Sequence, residues 1–94
     1  MMKSTAFVIN TARGAIIKEL DLIEALQIGE IAGAALDVQD PEPPKLDNPL
    51  FNMDNVILTP HIGWRRLESR QRLIDLMAGN IEAFIQGKPI NVVN

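Results

Sequence analysis

Three short apolar runs constrain this chain more than any other feature: Ala6–Ile9, Ile31–Leu36, and Val56–Leu58 within the segment Asn55–Thr59. A strand with one wet face alternates apolar and polar residues. An uninterrupted run reads instead as a strand covered on both faces, the situation of a parallel sheet. Each run also stops abruptly, the first at Asn10, the second on Asp37 and the third at Pro60.

The segments between the runs change period. Over residues 18–28, Leu22, Ala25 and Leu26 recur at helical spacing. Glu19 and Asp21 occupy the first turn, where the helix dipole favours anions, and Gly29 is placed to end the helix. Residues 39–49, "QDPEPPKLDNP", hold four of the six prolines and predict an ordered loop. From Leu67 to Gln86, Ile74, Met77, Ile81, Phe84 and Ile85 fall three, four or one apart. This predicts a long helix stopped by Gly87 and Pro89. Strand, helix, strand, loop, strand, long helix is the rhythm of an α/β chain with about three parallel strands in a partial sheet. No internal repeat or low-complexity tract interrupts it.

Composition narrows the function classes. Ninety-four residues with 47% hydrophobic content suit one domain or part of one. A net charge of −3, with Lys and Arg scattered apart from Arg65-Arg66, argues against nucleic acid as a partner. With no cysteine and a single histidine, neither a disulfide framework nor a metal centre is expected. Lys3 has no apolar signal core behind it, and no stretch approaches the roughly 20 apolar residues of a spanning helix. The expectation is a soluble, cytoplasmic protein with no membrane partner.

In a parallel α/β sheet the ligand crevice lies outside the carboxyl ends of the strands. The residues following the three runs, Asn10–Arg13, Asp37–Glu42 and His61–Gly63, therefore form one rim. That rim carries an arginine, carboxylates and the only histidine. Taken singly, each has an ordinary use: Arg13 in a surface ion pair, Asp37 capping a turn, Glu42 as a solvated carboxylate, His61 in any of several structural roles. Taken together they read as an anion-binding edge with a titratable group. No G-x-G-x-x-G and no G-x-x-x-x-G-K-[ST] occurs, so the chain has no phosphate cradle of either kind.

The stretches "MKSTAFVINTARG", "LIEALQIGEIAGAALDVQDPEP" and "NVILTPHIG", in this order and at these spacings, resemble the carboxyl-terminal signatures of the D-isomer-specific 2-hydroxyacid dehydrogenases. The resemblance covers nearly the whole chain. It implies the second half of a Rossmann-type NAD-binding domain over residues 1–63. Residues 64–94 would be a hinge helix and tail returning toward a substrate domain. It further implies a carboxyl-terminal fragment, with Met1 an engineered or internal start.

Site roles follow from the same resemblance. Arg13 matches the arginine of N-x-x-R-G, Glu42 the glutamate of the E-P motif and His61 the histidine of T-P-H. The chemistry is coherent. A guanidinium offers a charged fork to a 2-oxo acid and polarises its carbonyl. A histidine supplies the proton when hydride reaches the carbonyl carbon, and a carboxylate on its other ring nitrogen orients it and favours its protonated form. For the cofactor, the resemblance brings Thr11, Ala12 and Asp37 to the nicotinamide end, with Asp37 accepting from the carboxamide. Gly63 closes that side, and Arg13 and His61 border it.

The implied cofactor is NAD, with NADP left open. The implied partners are a small 2-oxo or 2-hydroxy acid, hydroxypyruvate and glyoxylate foremost, and a second subunit in a homodimer. The isolated chain is expected to be inactive and to bind dinucleotide weakly or not at all. A second reading on the same scaffold is a dinucleotide-sensing regulator of the corepressor type, since those proteins keep the Arg, Glu and His too. Two departures stand out. Lys18 occupies a position where many relatives have a helix-capping Asp or Asn. Trp64 follows Gly63 where small residues are commoner, and it would shape the cleft mouth or pack on the following helix.

Overall fold

The computed structural model describes residues 2–93, so the start at Met1 lies outside the described residues, as does Asn94. The three apolar runs form strands β1 (Phe7–Asn10), β2 (Gly33–Leu36) and β3 (Val56–Leu58), parallel and in the order β1-β2-β3. Helix α1 (Glu19–Gln27) connects the first two, and α2 (Leu67–Ile85) follows the third. β1 is shifted by one residue relative to its apolar run and β2 begins two residues into its own, while β3 coincides with the apolar run inside Asn55–Thr59. Two short 3₁₀ turns, Gly14–Ile16 and Pro49–Asn52, were not legible as elements.

The chain divides into two compact units between Gly63 and Trp64. In the first, α1 lays Leu22, Ile23 and Leu26 on one face of the sheet against Ala34 and Leu36, with Ile31 and Leu50 completing the core. Leu50 is the most enclosed side chain at 1% exposure, carried there by the second 3₁₀ turn. Asn48 fixes that turn. Its Oδ1 accepts from Leu50 N at 3.0 Å, and its Nδ2 donates to Glu19 Oε1 at 2.8 Å, tying the proline-rich loop to the start of α1.

The opposite face corrects one expectation. Register pairs Ile9 with Ala35 and Ala35 with Ile57, so Phe7, Ile9 and Ile57 share a face. They are 67%, 73% and 67% exposed. The uninterrupted apolar runs predicted burial on both faces. Only β2, flanked on both sides, approaches it, because α1 is the one α-helix of this unit and lies on one face.

Lys18 stands at the cap of α1 without a capping hydrogen bond and pairs instead with Asp21 at 2.8 Å. Gly29, at φ 71°, ends the helix in the left-handed conformation that favours glycine. In the second unit, the Arg70 guanidinium lies 5.9 Å from the centroid of the Trp64 ring, which places Trp64 on α2's first turns. Ile74, Met77, Ile81 and Phe84 are exposed along α2. Among the described residues no helix is long and apolar enough to cross a membrane.

Candidate active site

The site is assembled where the strands end. β1 delivers Asn10, whose buried side chain folds the following loop on itself. Its Oδ1 accepts from Ala12 N at 3.1 Å and its Nδ2 donates to the Arg13 carbonyl at 2.8 Å. Arg13 is left exposed, with Nη1 donating to the Ala12 carbonyl at 2.7 Å. Gly14 then passes so close to the loop after β2 that a Cβ there would stand 2.1 Å from the Gln39 carbonyl oxygen. Absence of a side chain is what lets the two loops touch.

β2 delivers Asp37, 7% exposed, whose two carboxylate oxygens both bond the loop after β3. Its Oδ1 accepts from the Thr59 hydroxyl and, at 2.9 Å, from Ile62 N. Its Oδ2 accepts from Gly63 N at 2.8 Å. These bonds stabilise the ionised form and hold the carboxyl below its usual range, the Thr59 hydroxyl contributing most and the two amides next. Between the gripped residues sits His61, at φ 52° one of two non-glycine described residues with positive φ.

His61 Nδ1 lies 2.8 Å from Glu42 Oε2, and both side chains are 38% exposed. The other Glu42 oxygen accepts from Gln39 N at 2.9 Å. The Gln39 amide first, and the His61 ring second, hold the Glu42 carboxyl below its ordinary value. With Nδ1 turned to a carboxylate, Nδ1 carries a proton and Nε2 is the ring nitrogen left for chemistry.

Arg13, Glu42 and His61 line one cavity of about 300 Å³, together with Gln39 and Asp40. A second cavity of about 390 Å³, walled mainly by Pro43, Pro44, Phe51, Leu58 and Pro60, shares Gln39, Glu42 and His61 with the first and is also lined by Asp37. Thr11 and Ala12 are exposed at the end of β1 and line neither cavity. Gly63 sits against Asp37, where a Cβ would come within 3.1 Å of Oδ2. Three supports carry no assigned role in the sequence reading: the Asn10 side chain, Thr59 and the Gln39 backbone. Only the position of Asn10 and Thr59 at strand ends could have flagged them.

Three parallel strands, a helical connection and a polar rim at the carboxyl ends define the second half of a Rossmann-type α/β domain. Within that class the chain belongs to the D-isomer specific 2-hydroxyacid dehydrogenases, whose NAD binding domain residues 1–63 match. It is 50% identical over 93 residues to a hydroxypyruvate reductase of Blautia hydrogenotrophica, covering 99% of this chain and 29% of that protein. A glycerate dehydrogenase of Methylorubrum extorquens is 49% identical over 94 residues, 98% of this chain and 30% of the relative. Among solved structures, an acyclic imino acid reductase in complex with NADPH and D-Arg superposes with a TM-score of 0.74 at 38% identity, over 99% of this chain and 29% of that one. The chain thus spans under a third of the length of the curated relatives it matches.

Proposed function

We propose that the protein containing this chain is an NAD(H)-dependent oxidoreductase that interconverts small 2-oxo acids and D-2-hydroxy acids, with hydroxypyruvate/glycerate and glyoxylate/glycolate the foremost pairs. The observation that carries this reading is the cavity lined at once by Arg13, Glu42 and His61, with the His61–Glu42 pair at 2.8 Å. Family membership and the names of the relatives support it.

Each side chain then has a task. Arg13 receives the substrate carboxylate in its planar fork and polarises the adjacent carbonyl. When bound, the dinucleotide supplies the hydride that adds to the carbonyl carbon. His61 gives the Nε2 proton to the carbonyl oxygen, and takes it back in the oxidative direction. Glu42 holds the ring through Nδ1, which leaves Nε2 for the substrate.

The residues present suit the nicotinamide end of such a cofactor. Asp37 Oδ2 accepts a single hydrogen bond, from Gly63, leaving acceptor capacity for a carboxamide N–H. Thr11, Ala12, Arg13, His61 and Gly63 border the same rim, and NADP would meet the same atoms. In this reading residues 1–63 are the carboxyl-terminal half of the cofactor domain and residues 64–94 a hinge helix and tail. The parent works as a cytoplasmic homodimer.

The test is NADH oxidation by the full-length parent over a panel of 2-oxo acids, beside His61→Ala and Arg13→Ala. Fast turnover of one acid, reduced by at least about a hundredfold in His61→Ala, is the expected result. Absence of turnover with every acid, with dinucleotide binding intact, would overturn it in favour of a sensing role.

A further inference from the structure

We propose that Thr59 is a positioning residue: with Asp37 it forms a latch that holds His61 in the one backbone conformation that presents its ring to Glu42. The proposal rests on His61 being the acid–base group, and its test separates the two ideas.

His61 is held at φ 52°, in the left-handed region that a side chain disfavours, so the surrounding structure must impose it. What imposes it is visible on both sides. Before His61, the Thr59 hydroxyl donates to Asp37 Oδ1. After it, Ile62 N donates to the same oxygen at 2.9 Å and Gly63 N to Oδ2 at 2.8 Å. His61 N itself turns back to the Thr59 carbonyl at 3.0 Å. One carboxylate therefore clamps residues 59, 62 and 63, and the residue enclosed by the clamp has no freedom to return to ordinary φ.

The sheet fixes the carboxylate in turn. Asp37 N donates to the Asn10 carbonyl at 2.9 Å and Thr59 N to the Leu36 carbonyl at 3.0 Å, continuing the β1-β2-β3 ladder past its last paired residues. Aspartate and threonine thus come side by side at two adjacent strand ends. Thr59 has one hydroxyl proton and gives it to Asp37. Valine keeps the shape and loses only that donor, whereas serine keeps the donor and loses only a methyl group.

His61 is the chain's only histidine, so imidazole ¹⁵N and ¹³C signals of the labelled chain report on it without overlap. In the wild type the neutral ring should be the Nδ1-protonated tautomer, enforced by Glu42. In Thr59→Val the ratio of Nδ1–H to Nε2–H tautomers should fall by at least about threefold, toward that of an unconstrained histidine side chain, and Thr59→Ser should restore it. An unchanged ratio in Thr59→Val, or a loss that Thr59→Ser fails to restore, would overturn the latch.

Should Thr59→Val not fold, the wild type still decides. A slowly exchanging Thr59 hydroxyl proton with protected Ile62 and Gly63 amides is expected, and rapid exchange of all three would overturn the proposal. These spectra judge the latch whatever the turnover, while His61→Ala turnover in the parent judges the acid–base reading.

Discussion

A single methyl group at residue 14 should disable the site without altering any group that contacts substrate. A Cβ on Gly14 would stand 2.1 Å from the Gln39 carbonyl oxygen, 2.2 Å from its carbon and 2.7 Å from Asp40 N. All three are backbone atoms, so no side-chain rotation relieves the overlap. Ordinary contact begins at 3.4 Å, so the loop carrying Arg13 and the loop carrying Glu42 must separate by about 1.3 Å in Gly14→Ala. Arg13 immediately precedes Gly14, and Gln39 N holds the Glu42 carboxylate at 2.9 Å, so the displacement reaches opposing walls of the cavity that Arg13, Glu42 and His61 line.

A misplacement of about 1 Å costs on the order of a hundredfold in rate, and that is the expected fall in kcat/KM for the preferred 2-oxo acid in the full-length parent. The His61 tautomer should survive, since Glu42 and Gln39 move together. Steady-state kinetics with imidazole NMR on the same variant checks both halves. A kcat/KM within about threefold of wild type would refute the claim that close approach of the two loops sets the geometry.

Two further perturbations probe the frame. Asp37 has a folded pKa below its ordinary value of 3.8, with Thr59, Ile62 and Gly63 as donors, so its contribution to stability is present above that value and lost as pH falls through the folded one. Urea unfolding of wild type and Asp37→Asn should show a gap that is wide at neutral pH and closes in strong acid, and a gap independent of pH would contradict the assignment. Leu50→Ala removes the most enclosed core side chain and should destabilise the chain by about 3 kcal/mol or more in urea unfolding. A loss below about 1 kcal/mol would mean that the second 3₁₀ turn is not anchored by that side chain.

The parts of the fold legible in the sequence were those written locally. The apolar runs at Ile9, Leu36 and Leu58 are read from a few neighbours, and the period of Leu22, Ala25 and Leu26 from one helical turn. Because parallel strands share one carboxyl edge, these local readings are enough to group Arg13, Glu42 and His61 on a common rim. Burial was less accessible. An uninterrupted run states that a strand tolerates cover on both faces, not that cover is present, and Phe7, Ile9 and Ile57 are exposed for want of a second layer in their own unit.

The hidden part of the site is its scaffolding, and the reason is sequence distance. Asp37 lies 22 residues from Thr59, 25 from Ile62 and 26 from Gly63, yet it bonds all three, and no window of the sequence records that pairing. Read alone, Asp37 is a turn-capping carboxylate on the rim, and the resemblance assigns it to the cofactor. In the fold it is first an internal clamp with limited capacity to spare. The same holds for Asn10, which closes its own loop before any ligand arrives. The groups that would meet substrate, Arg13 and His61, are exposed or half-exposed, as are Glu42 and Thr59, while the two side chains that tie the loops to the strand ends, Asn10 and Asp37, are buried. That division lets a buried, hydrogen-bonded carboxylate hold a histidine in a disfavoured conformation, so that the strain at His61 is maintained by Asp37 and Thr59 and not by contact with the reacting molecule.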